Sequence, residues 1–282
     1  MNSISRSWRL TKLSFSVIAR DKEMLLFPLF AVIASLLYIA AIFWPSGVLE
    51  VLHSSDETLL TNGPELAGGI VEYATLFLAY LGLTFIGTFF NVCVVFTTKV
   101  RFEGGDATLM QSLGFALSKI GIIFQLSLVA ATVGVLLAMI ERLAERLGGI
   151  GRLVVTVLRS LLGMLWSIVT VFIVPVLVYE DVSPREAISR STAVIKKTWG
   201  ESLVKAVGLG LIQFIFLLCV IVITVGMGMV LPPQGDVRVL AALGFIGFLG
   251  VIFVFNVANT IFNTALYIYA STGQAPDNFD AE

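Results

Sequence analysis

Six times along this chain the residues stay apolar for twenty or more positions: Met24 to Trp44, Ile70 to Thr97, Ile120 to Ile140, Leu153 to Tyr179, Leu203 to Leu231 and Val239 to Ala270. About 20 helical residues at 1.5 Å each cross a hydrocarbon core of about 30 Å. Within hydrocarbon every N–H and C=O must be satisfied inside its own segment, which a helix achieves and a lone strand does not. The runs also lack the alternation of barrel strands. The pattern predicts an all-α membrane protein with six transmembrane helices.

Ahead of three of the runs the pattern turns amphipathic. In SPREAISRSTAVIKKTW, Ser183 at the N-cap, Pro184 at the first helical position and Glu186 form a capping box. At 100° per residue, Ala187, Ile188, Ser191, Val194, Ile195 and Trp199 share one face, with Arg185, Ser189, Arg190, Lys196 and Lys197 opposite. Near the start, Ile4, Trp8, Thr11, Phe15 and Ile18 make a similar stripe beside Arg6, Arg9 and Lys12. A weaker version spans 106–119, with Asp106 as cap and Leu109, Leu113, Ala116 and Leu117 as stripe. Each segment reads as a helix lying in the membrane interface.

The tetrapeptide ISRS occurs in two of these segments, at 4–7 and 188–191. The closing runs also align: GTFFNVCVVFTT, TVFIVPVLVYED and NTIFNTALYIYA place Asn91, Pro175 and Asn263 at matching positions. The expectation is one polytopic domain, 1–272, of three pseudo-repeats at 1–102, 103–182 and 183–272. Each repeat is a two-span hairpin preceded by a cytoplasmic-side amphipathic helix, and internal symmetry of this kind recurs in membrane proteins. The alternative is three unrelated helices that each needed an amphipathic lead-in. The tail 273–282 is acidic, has no apolar stripe and is expected to be disordered.

Composition agrees with a lipid solvent: 57% of residues are apolar and 13% charged, against about 45–50% and 25% in soluble domains. Charge sets the orientation. With the N-terminus inside, the inner segments hold Arg6, Arg9, Lys12, Arg20, Lys22, Lys99, Arg101, Lys119, Arg185, Arg190, Lys196, Lys197 and Lys205. The outer loop from Pro45 to Gly69 has Glu50, Asp56, Glu57 and Glu65 but no Lys or Arg. ERLAERLGGIGR, 141–152, is basic on the outer side; Leu143 and Leu147 sit four apart, so it continues the third helix until Gly148 and Gly149 end it. The expected location is the cytoplasmic membrane of a prokaryote, with both termini cytoplasmic. The first run is too long for a signal-peptide core and reads as an anchor.

The segments ISRSWRLTK and RDKEMLLFPL, with VPVLVYEDVSPREAISRS and KKTWGE later, resemble an uncharacterised family of six-span prokaryotic integral membrane proteins. That resemblance implies the six-span fold and assigns no activity. More loosely, Ala-Ile-x-Arg-Ser ahead of a span resembles the membrane domain attached to some glycerophosphodiester phosphodiesterases. With no soluble catalytic domain and a single His, that activity does not carry over.

Catalysis needs titratable groups converging in a sheltered site. His53 lies in an outer loop, Glu72 begins the second span, and no acid sits at the middle of a span. Cys93 and Cys219 fall inside spans as small apolar side chains. Neither enzyme chemistry, a metal nor a cofactor is expected. The polar feature that stands out is in the sixth span. Asn256, Asn259, Thr260, Asn263 and Tyr267 form one stripe more than two turns long, and Asn91 of the second span is its partner by the repeat. Interhelical packing and a polar path both account for it. Gly244, Gly247 and Gly250 permit close helix approach on the outer half of that span. Pro175 should kink the fourth span, and Arg159 is the charge deepest in a span, near enough to the outside to snorkel.

Two functions remain open. One is a membrane-organising protein that contacts lipid or a partner through basic interfacial helices carrying Arg6, Arg9, Lys12, Arg185, Arg190, Lys196 and Lys197. The other is a small carrier or channel for a solute or lipid along the Asn stripe. The partners implied are membrane lipids, with a protein partner or a second copy as further candidates, and no nucleic acid.

Overall fold

The structure, a computed structural model, describes residues 3–43, 70–180, 182–230 and 237–273, with side chains at 11–42, 73–180, 182–196, 209–228 and 238–273. The acidic loop 45–69 and the tail 274–282 lie outside the described residues, as do the side chains of Arg6, Arg9 and Lys197. The helices are α1 (Ser3–Arg20), α2 (Leu26–Phe43), α3 (Ile70–Phe102), α4 (Leu109–Ser118), α5 (Ile120–Arg146), α6 (Gly149–Thr170), α7 (Ile173–Tyr179), α8 (Pro184–Val230) and α9 (Val237–Thr272). A 3-10 turn, Lys22–Leu25, joins α1 to α2, and the described residues contain no strand.

Among the described residues six stretches are long and apolar enough to cross a membrane: Lys22–Ile42, Tyr73–Phe102, Ile120–Arg146, Gly149–Tyr179, Leu209–Gly228 and Arg238–Thr272. They coincide with the six apolar runs. The outer surfaces stay greasy, with Leu36, Leu161 and Phe245 more than half exposed, as helices bathed in lipid require.

The core sits at one end of the bundle. Val92, Cys93 and Val95 of α3, Phe172, Val176 and Leu177 around α7, and Ala258, Ile261, Phe262 and Leu266 of α9 are buried and form one cluster. These are the three closing segments that align in sequence. Because lipid tails are as apolar as Leu, close packing and hydrogen bonds hold this cluster, not hydrophobic expulsion. The amphipathic segments wrap around it. On α1, Thr11, Ser14, Val17 and Ile18 are buried, and α1 packs on α8 and α9.

The amphipathic segments depart from expectation in three ways. The cap of α4 is Thr108 rather than Asp106: its hydroxyl accepts from the Gln111 N–H at 3.3 Å, and Gln111 accepts from the Thr108 N–H at 3.0 Å. Asp106 is taken by Arg101 instead. On the same helix Ser112 is buried and Leu117 is 55% exposed, so the inward face is rotated from the expected stripe. Finally, α8 runs unbroken through 184–230 rather than pausing between an interfacial helix and a span. No Pro lies in KTWGESLVKAVG, and its isolated glycines cost too little to stop a helix.

Capping at Ser183 forms as its spacing requires. The Glu186 carboxylate accepts from the Ser183 N–H at 3.0 Å and from its hydroxyl at 2.9 Å. Those two hydrogen bonds, to the backbone first, hold its pKa below the ordinary 4.5, so the cap is charged at neutral pH. Gly149, with φ +58°, reverses the chain between α5 and α6 where the sequence places the helix end.

Close approach of α2 and α3 depends on Gly82, because a methyl there would fall on the Tyr38 ring, whose hydroxyl donates to the Leu78 carbonyl at 2.7 Å. Gly82→Ala is expected to destabilise the protein by about 1–2 kcal/mol through overpacking. Gly121→Ala, with nothing within 4 Å, is the matched control. Equal unfolding temperatures for the two variants in detergent would refute the close contact. Gly244 plays a similar part against Thr224, whereas Gly250 has open space beside it.

Candidate functional site

The polar stripe of α9 divides when its side chains are placed. Asn256 and Asn259 are exposed, Thr260 and Asn263 are half-buried, and Tyr267 is buried. Asn256 and Asn259 line a cavity of about 260 Å³ with Leu209, Gly210 and Gln213 of α8 and with Ile252 and Phe255 of α9. Three carboxamides thus converge from two helices. Phe15 of α1 packs edge-on against Phe255, ring centroids 5.5 Å apart, so the N-terminal helix borders this cleft.

Gln213 was missed by sequence reasoning. Its signal was present, a lone amide inside the apolar run GLIQFIFLL, but only packing shows that it faces the same space as Asn256 and Asn259. Each amide offers donors and an acceptor and none carries charge. The cleft can hold a neutral group with several hydroxyls.

Asn91 stands elsewhere. It lines a second cavity of about 320 Å³ with Thr84 and Thr88 of α3, Leu126 and Val129 of α5, Trp166 and Thr170 of α6, and Ile188 of α8. The Thr84 and Thr170 hydroxyls donate to carbonyls of their own helices at 2.7 and 3.0 Å. No residue of α9 lines this cavity, so Asn91 and the Asn256–Asn259 pair belong to different sites.

Tyr267 ends the stripe in a polar network at the bundle end. Its hydroxyl donates to Glu180, which also pairs with Arg190. Lys99 lies 5.0 Å from the centroid of the Tyr179 ring. Beside this group, Arg101 bridges Asp21 at 3.3 Å and Asp106. Arg190, expected at a lipid surface, pairs with Glu180 at the C-cap of α7 while its own side chain stays 53% exposed. Lys12, Arg185 and Lys196 are exposed as well.

Ser191, on the apolar face of its helix, has a part that sequence does not reveal. Its hydroxyl donates to the Val169 carbonyl at 2.5 Å and accepts from the Phe172 N–H at 3.2 Å. Helix α6 ends at Thr170 and α7 starts at Ile173, so Ser191 fills the break upstream of Pro175. Near the other end, Arg159 pairs with Glu141 at 3.1 Å, and Arg142 lies 5.1 Å from the centroid of the Tyr73 ring.

Among the described residues no three His, Cys, Asp or Glu side chains group as metal ligands, and Cys93 and Cys219 are free thiols. Fold and surface define a multi-pass helical membrane protein. Residues 70–277 match the Family of unknown function (DUF6159), and the chain belongs to that family. No curated protein and no solved structure matches it. The family match begins at the second span, so ISRSWRLTK and RDKEMLLFPL lie outside it, and the looser resemblance to the phosphodiesterase membrane domain finds no support.

Proposed function

We propose that this is a non-enzymatic lipid-binding protein of a prokaryotic cytoplasmic membrane, with both termini on the cytoplasmic side. The cleft between α8 and α9 holds the uncharged, hydroxyl-rich headgroup of a lipid. One observation carries the reading: Gln213, Asn256 and Asn259 converge on a single cavity of about 260 Å³ from two helices. Amides exposed on membrane-spanning helices are costly unless they face protein, water or a ligand, and neutral amides bind hydroxyls without the penalty of a buried charge. The exposed Lys12, Arg185 and Lys196 support the same class of function, each worth about 1 kcal/mol beside an anionic leaflet. A channel along α9 has less support, since Tyr267 closes the stripe by bonding to Glu180.

The test is lipid capture by the full chain from vesicles of phosphatidylcholine containing a glycosyl diacylglycerol. Replacing Gln213, Asn256 and Asn259 together by Leu is expected to weaken capture at least tenfold, which is about 1.4 kcal/mol, with an unchanged unfolding temperature. Equal capture by both proteins would overturn the proposal.

A further inference from the structure

The cavity around Asn91 combines three features that are independent of the amide cleft. Its wall is mainly aliphatic and aromatic, from Leu126, Val129, Ala130, Trp166, Ile173 and Val174, and among the described residues no charged side chain contributes to it. Asn91 lines this wall, and its buried Oδ1 has no hydrogen-bond partner among the described residues. The cavity is also partly open, and of its wall residues Gly87 and Val129 are exposed, the latter at 37%. Both positions lie more than two turns inside their spans, Tyr73–Phe102 and Ile120–Arg146, so this opening faces hydrocarbon.

From these features we infer a second binding site, for the hydroxyl end of a neutral single-alcohol lipid such as a diacylglycerol. An unpaired buried acceptor is unfavourable until a donor reaches it. The donor must arrive on a molecule that itself partitions into lipid, because the entrance is lateral. Charge is excluded by the lining, which offers an ammonium or phosphate no counter-ion. A hydroxyl on an apolar body meets each condition. The volume of about 320 Å³ falls at the small end of the roughly 300–1,000 Å³ of small-molecule sites. It therefore seats the glycerol end of the lipid and leaves the acyl chains in the bilayer.

The break in the fourth span gives this site its shape. Thr170 and Ile173 flank the interruption that Ser191 bridges, and both line the cavity, as does Ile188. A straight helix would carry those side chains elsewhere. Trp166 in the wall supplies a built-in reporter.

A full-length variant with Trp8, Trp44 and Trp199 changed to Phe leaves Trp166 as the sole indole. In phosphatidylcholine vesicles, diacylglycerol brominated on its acyl chains is expected to quench Trp166 saturably. Phosphatidylcholine brominated at the same positions should quench it only in proportion to its mole fraction. Asn91→Leu should weaken the saturable component at least tenfold. Ala130→Leu, which keeps the amide and fills the cavity, guards against a folding defect at Asn91 and should weaken it similarly. Gln213→Leu lies in the other cleft and should leave the quenching unchanged, so failure here is separable from failure of the amide-cleft reading. Indistinguishable quenching by the two brominated lipids, as for a water-filled cavity, or a saturable component untouched by both Asn91→Leu and Ala130→Leu, would overturn the site.

Discussion

Arg101→Leu is expected to lower stability by about 3 kcal/mol, the cost of leaving a buried charge without its partner. The carboxylate at stake belongs to Asp21, whose side chain is only 5% exposed and receives the Arg101 Nε at 3.3 Å. Arg101 also reaches Asp106, but that side chain is 77% exposed. Exposed pairs contribute about 0–1 kcal/mol, so Asp106→Ala should be nearly silent. Adding Asp21→Leu to Arg101→Leu removes the stranded charge and should recover part of the loss. The measurement is the midpoint of thermal unfolding in a mild detergent. Arg101→Leu and Asp106→Ala unfolding at one temperature would show that Asp21 does not depend on the guanidinium. The contact spans 80 residues of sequence, joining the turn before the first span to the end of the second.

Loss of the hydroxyl at Ser191 has the second-largest expected effect. Pro175 has no N–H to offer the fourth span, and the helix is interrupted between Thr170 and Ile173. Ser191 is fully buried there, donating to Val169 and accepting from Phe172. Ser191→Ala strands the Phe172 N–H in an apolar setting at about 1–3 kcal/mol, whereas Ser191→Thr retains the hydroxyl and should cost less. A double-mutant cycle isolates the cause. With Pro175→Ala the backbone regains a donor at 175 and can close its own turn, so the cost of Ser191→Ala should shrink. Equal costs with and without the proline would show that the serine does not serve the break.

ISRS illustrates how far local pattern reaches. Helical spacing places Ser191 on the inward face with Ala187 and Ile195, and all three are buried. The same spacing assigns Arg185 and Lys196 outward, and both are exposed. What the spacing leaves open is the material that the inward face meets. It meets the fourth span, with Ser191 in the helix break and Ile188 at a cavity wall, while Arg190 of the outward face pairs with Glu180. A membrane interface and a protein groove demand the same amphipathic pattern, so sequence alone does not separate them.

The α9 stripe teaches a related lesson. Period alone puts Asn256, Asn259, Asn263 and Tyr267 on one side of a helix, but neighbours decide what each one faces. Tyr267 is taken up by Glu180, Asn256 and Asn259 by the cleft with Gln213, and Asn91 belongs to another cavity. Gln213 escaped notice because a single polar residue in an apolar run has no periodicity to betray it, and Glu180 because it lies just past the fourth run among other polar residues.

The six spans, the proline break and the capping box at Ser183 all follow from short-range rules, since hydrocarbon obliges each span to satisfy its own backbone. Tertiary structure decided the rest: which closing segments form the core, which arginines find a carboxylate, and that the amides divide between two cavities. Those outcomes rest on contacts between residues tens of positions apart. In a lipid solvent that rewards no apolar face over another, only the fit of particular side chains settles them.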